Sequence, residues 1–236
     1  MRIIPVLDIK NGQAVRAVAG RRDEYRPLES VLTDSTEPVQ VAAAIAARGF
    51  SELYVADLDA IASGVPEYER YRQFAELGMR LWIDCGLRSA EQAAELDSCA
   101  DQLMIIAGLE SVAGPRTLRQ IANEVSLDRL IFSLDLLDGK PRTAAEWGEM
   151  HSLEIAMHAR DCGLRRIIVL DLASVGIGRG VSTLDLCRTL AECGGYDEII
   201  SGGGVRNRAD LAKLASAGCT AALVSSALHS GELTAT

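Results

Sequence analysis

Lysine is scarce in this chain: Lys10, Lys140 and Lys213 are the only ones among 24 basic residues, and none closes an apolar strand-like run. A strand-end Schiff base is thereby excluded, and the arginine-dominated inventory favours forked, bidentate contacts to anions. Histidine is equally sparse. His151, His158 and His229 are too scattered for a metal-ligand cluster, and the first two, seven apart, fall on one face of an expected helix. Cys85, Cys99, Cys162, Cys187, Cys193 and Cys219 form no CxxC pair, so reduced core thiols are expected, with Cys85 alone at a strand end. No metal or cofactor is indicated. Positive charge is also short, with a net charge of −9, which argues against a binder of nucleic-acid backbones. No apolar run is long enough to span a bilayer, and Met1-Arg2-Ile3-Ile4 does not open a basic-then-apolar leader, so a cytoplasmic protein without membrane contact is expected.

What is present is a repeat. Val6-Leu7-Asp8-Ile9-Lys10-Asn11-Gly12 returns as Ser133-Leu134-Asp135-Leu136-Leu137-Asp138-Gly139, and Leu53 to Leu58 returns as Ile167 to Leu172. Ile83-Asp84-Cys85-Gly86-Leu87-Arg88-Ser89 is answered by Ser201-Gly202-Gly203-Gly204-Val205-Arg206-Asn207, and Met104 to Leu109, more loosely, by Ala222 to Ala227. The offsets of 127 (Asp8 to Asp135), 114 (Asp57 to Asp171) and 118 (Gly86 to Gly204) keep the order and differ only by loop insertions, which favours a duplicated half-domain.

Short β-branched runs near 2–8, 52–57, 79–84, 102–107, 130–135, 166–171, 198–201 and 221–225 alternate with helical patterns. Eight strands buried on both faces predict an α/β fold, a (β/α)8 TIM barrel, as one domain over 1–236 with half-barrels of about 1–127 and 128–236. Pro38 to Gly49 carries a helix start-and-stop signature, and Ser89-Ala90-Glu91-Gln92 a serine cap. Lys10 to Glu37 is the longest irregular stretch, with its charge gathered in Arg21-Arg22-Asp23-Glu24-Tyr25-Arg26-Pro27.

Active sites of such barrels form at the C-terminal ends of the strands. Asp8, Asp57, Asp84, Asp135 and Asp171 all fall there; gathered over a half-buried floor, they would raise one another's pKa toward neutrality, although some could instead cap loops. The Gly202-Gly203-Gly204 run ahead of a helix, with Ser225-Ser226 after strand eight, is a candidate phosphate site. Gly86, Arg88 and Gly108 form a weaker, symmetry-related one.

These residues resemble the HisA/HisF family, ProFAR isomerase and its cyclase relative, duplicated half-barrels of histidine biosynthesis. The resemblance covers the whole chain: an Ile-Pro-x-x-Asp-x-Lys-x-Gly opening is matched by Ile4 to Gly12, and a fifth-strand acid by Asp135. It implies that Asp8 and Asp135 act as general base and general acid in an aminoaldose-to-aminoketose isomerisation. It also implies that Gly203, Gly204 and Ser225 hold one phosphate, Gly86, Arg88 and Gly108 another, and that Trp147 is a loop tryptophan. Asp171, Arg21 and Arg22 are further candidate binding residues.

The chain departs from the family at strand six, where Asp-x-x-x-Asp-Gly-Thr is replaced by Asp171-Leu172-Ala173-Ser174-Val175-Gly176-Ile177. Its Arg21 to Pro27 loop is similar to that of a divergent HisA/HisF-related group found in methanogens and methylotrophs, which use methanopterin-type one-carbon carriers. The expectation is a HisA-like isomerase of a different phosphorylated substrate, with one-carbon coenzyme biosynthesis as its setting. Genuine ProFAR isomerase is the alternative, and a non-catalytic phosphate-ligand barrel the alternative of another class. Neither oligomeric state nor a protein partner is legible.

Overall fold

Eight strands, β1 (Arg2–Lys10), β2 (Glu52–Asp57), β3 (Arg80–Asp84), β4 (Leu103–Gly108), β5 (Leu130–Leu137), β6 (Arg166–Asp171), β7 (Glu198–Ser201) and β8 (Ala221–Val224), each pair in parallel with the next. The last returns to the first through Arg2↔Ala221 to Pro5↔Val224, which closes the barrel. The computed structural model describes residues 1–101 and 103–234; Gln102, expected to open strand four, and the last two residues of the expected domain lie outside them.

Helices run outside the sheet: α1 (Pro38–Ala46), α2 (Leu58–Ser63), α3 (Tyr68–Ala75), α4 (Ala90–Asp97), α5 (Pro115–Glu124), α6 (Ser152–Asp161), α7 (Leu184–Cys193), α8 (Arg208–Ser216) and α9 (Ser226–His229). Their starts are chemically marked. Glu37 accepts from the N–H groups of Val39 and Gln40 ahead of Pro38, and Ser89 accepts from Gln92. His151 does not share a helical face with His158, because it stands before α6 as its N-cap, where Glu154 accepts its backbone N–H.

The apolar residues divide into two buried sets. Ile4, Tyr54, Trp82, Met104, Ile106, Ile131, Ile168, Ile200 and Leu223 fill the barrel lumen, whereas Leu7, Val55, Ile83, Ile105, Phe132 and Val169 face the helices. The period of two along each strand sends alternate residues to these two cores, and each large side chain fully buried contributes roughly 1.5–3 kcal/mol. No helix among the described residues is long and apolar enough to cross a membrane.

The duplication is visible in the backbone. β1 folds back on an arm at Gln13–Arg16 through Asn11 (φ 53) and Gly12 (φ 71), and β5 on an arm at Lys140–Pro141 through Asp138 (φ 51) and Gly139 (φ 75). Both are two-residue turns with left-handed φ at both positions, the geometry that Asn-Gly and Asp-Gly favour. Each turn is held by a carboxylate: Asp59 accepts from Asn11 and Gly12 at 2.8 and 2.9 Å, and Asp171 from Asp138 and Gly139 at 3.1 and 3.0 Å. After β4 the N–H groups of Ser111 and Val112 both donate to Gly108 O, and after β8 those of Leu228 and His229 both donate to Ser225 O. Gly108 is therefore the counterpart of Ser225.

The stretch Lys10 to Glu37, expected to be irregular, is instead organised as a cover. After the hairpin arm, Ala19 donates to Val175 O, Gly20 packs on Leu172, and Arg26–Pro27 adds a short strand to the Gln13–Arg16 arm. Lys10 closes β1 rather than lying beyond it, and its ammonium donates to Arg22 O.

Candidate active site

The strands open at their C-terminal ends into a cleft of about 740 Å³. Asp8 follows Ile4 and Val6 in the inward phase of β1, Asp84 follows Trp82 in β3, and Asp135 follows Ile131 and Ser133 in β5; all three carboxyls line this cleft. Asp57 and Asp171 occupy the outward phase of their strands. Asp57 caps α2 through the N–H of Ala60 and accepts the Tyr71 hydroxyl at 2.7 Å.

Asp171, expected to bind substrate, holds the Asp138-Gly139 turn, accepts from Ala173 at 3.1 Å and receives the Ser182 hydroxyl at 3.3 Å. Its carboxylate is engaged by the protein and is not part of the cleft lining. Backbone capping, the alternative reading for these two acids, describes both.

The inward carboxyls are nine-tenths buried or more, and burial dominates their chemistry. Desolvation, with Asp84 and Glu110 adding like charge, pushes Asp135 up to about 8; Ser133 donating at 2.7 Å opposes this. Burial raises Asp8 to about 7, opposed by the Arg22 guanidinium and assisted by Asp84. Burial and Glu110 raise Asp84 to about 6, held there by the Gly86 N–H and the Tyr54 hydroxyl, each at 3.1 Å. One atom is left over: Asp135 Oδ2 is buried with no hydrogen-bond partner.

Two residues absent from the sequence-based candidates join them. Glu110, just past β4, lines the cleft and is shared by Arg22 (2.5 Å) and Arg142 (3.2 Å). Tyr54 lines the floor against Asp84. Arg22 therefore reaches the site, whereas Arg21 pairs with Glu24 and is not part of the lining.

Opposite the carboxyls, Gly203 (φ 74), Gly204 (φ 88), Arg206, Ser225 and Ser226 form the wall after β7 and β8. Arg206 is fixed bidentately by the buried Asp210, with Nε to Oδ2 at 2.8 Å and a second contact at 3.0 Å. Val175, Gly176 and Ile177 line the same wall, so the acid and threonine positions of the resemblance are apolar within the cleft itself.

The symmetry-related loop is not presented this way. Gly86 N–H is spent on Asp84, and a β-carbon at Gly86 would stand 2.7 Å from Ile61 Cα, so this loop is packed against α2. Arg88 donates to Ile61 O at 2.8 Å beneath Gly64. Gly108 faces the carboxyls; a β-carbon there would lie 3.4 Å from Asp135 Oδ2 and 3.7 Å from Asp84 Oδ2. None of the three belongs to the cleft lining.

Cys85 is buried away from the cleft and its thiol is pushed up by desolvation. Trp147 is fully buried against Phe132, with its indole N–H donating to Val112 O, so it packs rather than facing substrate. His229, 4% exposed, lines the cleft, bonds Ser30 at 2.8 Å and is held neutral, lowered to about 4 by burial.

Comparison with known proteins agrees with this architecture. The profile of the histidine biosynthesis protein family matches residues 2–234. An uncharacterized protein of Methanocaldococcus jannaschii is 30% identical over 234 residues, covering 99% of this chain and 95% of that protein. ProFAR isomerases of Chlorobium luteolum (30% over 221 residues, 91% and 82% of the two chains) and Halothermothrix orenii (29% over 238 residues, 99% and 96%) are similar along the same length. A match of that extent places the chain in the histidine biosynthesis protein family, as a relative of its isomerases.

Proposed function

We propose that the chain is a divergent HisA-like isomerase of a sugar-phosphate-type substrate, with Asp8 as general base and Asp135 as general acid. The observation that carries this reading is two buried carboxyls lining one cleft, Asp8 raised to about 7 and Asp135 to about 8 by desolvation, so that near neutral pH one can serve as base while the other serves as acid. A base and an acid are thus available together.

For an aminoaldose, Asp135 protonates the ring oxygen as the C1–O bond breaks and the nitrogen lone pair forms a C=N bond. Asp8 then takes the C2 proton, the C2–H electron pair forms C1=C2 as the C=N pair returns to nitrogen, and the resulting enolamine becomes the aminoketose when a proton is delivered to C1 and the C2 hydroxyl gives up its own. The left-handed Gly203 and Gly204, the Ser225 and Ser226 hydroxyls and the clamped Arg206 supply the phosphate end. Binding energy gained there positions C1 and C2 over the carboxyls.

The substrate differs from ProFAR on this reading, because Val175 and Ile177 offer no hydrogen bond where the family has an acid and a threonine, a loss worth several orders of magnitude in a site built for hydroxyls. The setting in one-carbon coenzyme biosynthesis rests on the loop resemblance alone. Genuine ProFAR isomerase activity is the second reading, favoured by the names of the bacterial relatives. Assay of purified protein with ProFAR separates them: no turnover by the folded protein is expected, and robust turnover abolished by Asp8→Asn would establish the second reading in place of the first.

A further inference from the structure

The two halves repeat the barrel but differ at its mouth. The second half offers glycines, serines and a clamped arginine; the first offers Asp84 and Glu110, with the Gly86 amide and the Arg88 guanidinium turned to other partners. The guanidiniums of Arg22 and Arg142 are both directed at Glu110. Asp135 Oδ2, on a residue 94% buried, is left without a hydrogen-bond partner.

We propose that the cleft takes a substrate with a single phosphate, seated at Gly203, Gly204 and Ser225, whose other end bears a protonated amine received by Asp8 and Asp84, with Glu110 as the residue that shuts out a second phosphate. This rests on the phosphate end assigned under the proposed function. A second phosphate would meet like charge from Asp8 and Asp84 and would have to displace Glu110 from both arginines. An ammonium gives the buried Asp8 and Asp84 charge-assisted hydrogen bonds and offsets the cost of gathering them away from water. Glu110 is thus a specificity residue rather than a catalytic one, since its two oxygens are occupied by Arg22 and Arg142.

Calorimetric titration at pH 7 with inorganic phosphate, glucose 6-phosphate, glucosamine 6-phosphate and fructose 1,6-bisphosphate tests this on the unmodified protein. The amino sugar phosphate is expected to bind about tenfold tighter than its hydroxyl analogue, and the bisphosphate no tighter than glucose 6-phosphate. Glu110→Gln is expected to improve bisphosphate binding, by releasing two guanidiniums, and to leave inorganic phosphate unaffected. Phosphate binding accompanied by a tenfold preference for the bisphosphate, or by equal affinity for the amine and hydroxyl sugars, would overturn the inference and leave the phosphate end standing. Failure of inorganic phosphate to bind, or binding unchanged by Arg206→Gln, would overturn that end as well.

Discussion

Replacing Asp135 with asparagine should make the protein inactive and, above neutral pH, more stable. The carboxyl is 6% exposed and its pKa rises from 3.8 to about 8 on folding, with desolvation first and then Asp84 and Glu110 responsible. The sign follows from proton binding. Between those two values the folded chain holds a proton that the unfolded chain has released, so this group's contribution is complete below pH ~4 and is lost progressively up to pH ~8.

Each unit is worth about 1.4 kcal/mol, so the loss from pH 4 to pH 7 approaches ~4 kcal/mol for an isolated site, and about 2 once water entry and relaxation are allowed. Asparagine does not titrate. It keeps an acceptor for Ser133 and leaves a buried amide N–H unpartnered, a cost of about 1–3 kcal/mol that is independent of pH. Urea denaturation of both proteins from pH 5 to pH 9 isolates the titrating part as the slope of their stability difference. The variant should gain on the parent by about 0.7 kcal/mol or more per unit through neutrality and level off above pH ~8. Parallel stability curves would show that Asp135 is not held protonated, and the assignment of a general acid would fall with it.

For turnover, kcat/KM should rise through about pH 7 as Asp8 ionises and fall above about pH 8 as Asp135 loses its proton. Since Asp84 raises both groups, Asp84→Asn should move both limbs to lower pH; a limb that stays in place is not owned by the residue assigned to it. Gly203→Ala places a side chain at φ 74, with its β-carbon 3.1 Å from Asp171 O, and should cost roughly 1–2 kcal/mol by thermal denaturation while raising KM more than it lowers kcat. Asp171→Ala strips the acceptor from Asp138, Gly139 and Ala173 and should cost about 3 kcal/mol in urea. A loss below ~0.5 kcal/mol would mean that solvent replaces the carboxylate at this turn.

The barrel was legible because β-branched runs and helical periods alternate eight times, and because the halves repeat. The active-site acids were legible only as a set of five. Both faces of a parallel strand are buried, so alternation does not show which phase looks into the lumen; Asp57 and Asp171 therefore read like Asp8 and Asp135, although they lie one phase away. The two hairpins carried a usable signal, Asn11-Gly12 and Asp138-Gly139 after apolar runs, which locates the turns and explains how the long stretch begins. Glu110 was harder to see. It lies past the strand end, and only the path of the cover, which brings Arg22 across the barrel mouth, makes it part of the site. The first-half anion loop was read from symmetry, but the amide and guanidinium that symmetry supplies are turned inward to Asp84 and Ile61.

The central claim is proton transfer by Asp8 and Asp135, and solvent exchange reads it whatever the natural substrate is. Purified protein would be incubated in deuterated buffer near neutrality with aldose and aminoaldose monophosphates, and the C2 proton followed by NMR. The account predicts that this signal is lost with at least one amino-bearing monophosphate, and that Asp8→Asn retains the signal while remaining folded. Tight binding of these compounds with no C2 exchange in the unmodified protein would contradict it, and would make the barrel a receptor for phosphorylated ligands rather than an isomerase.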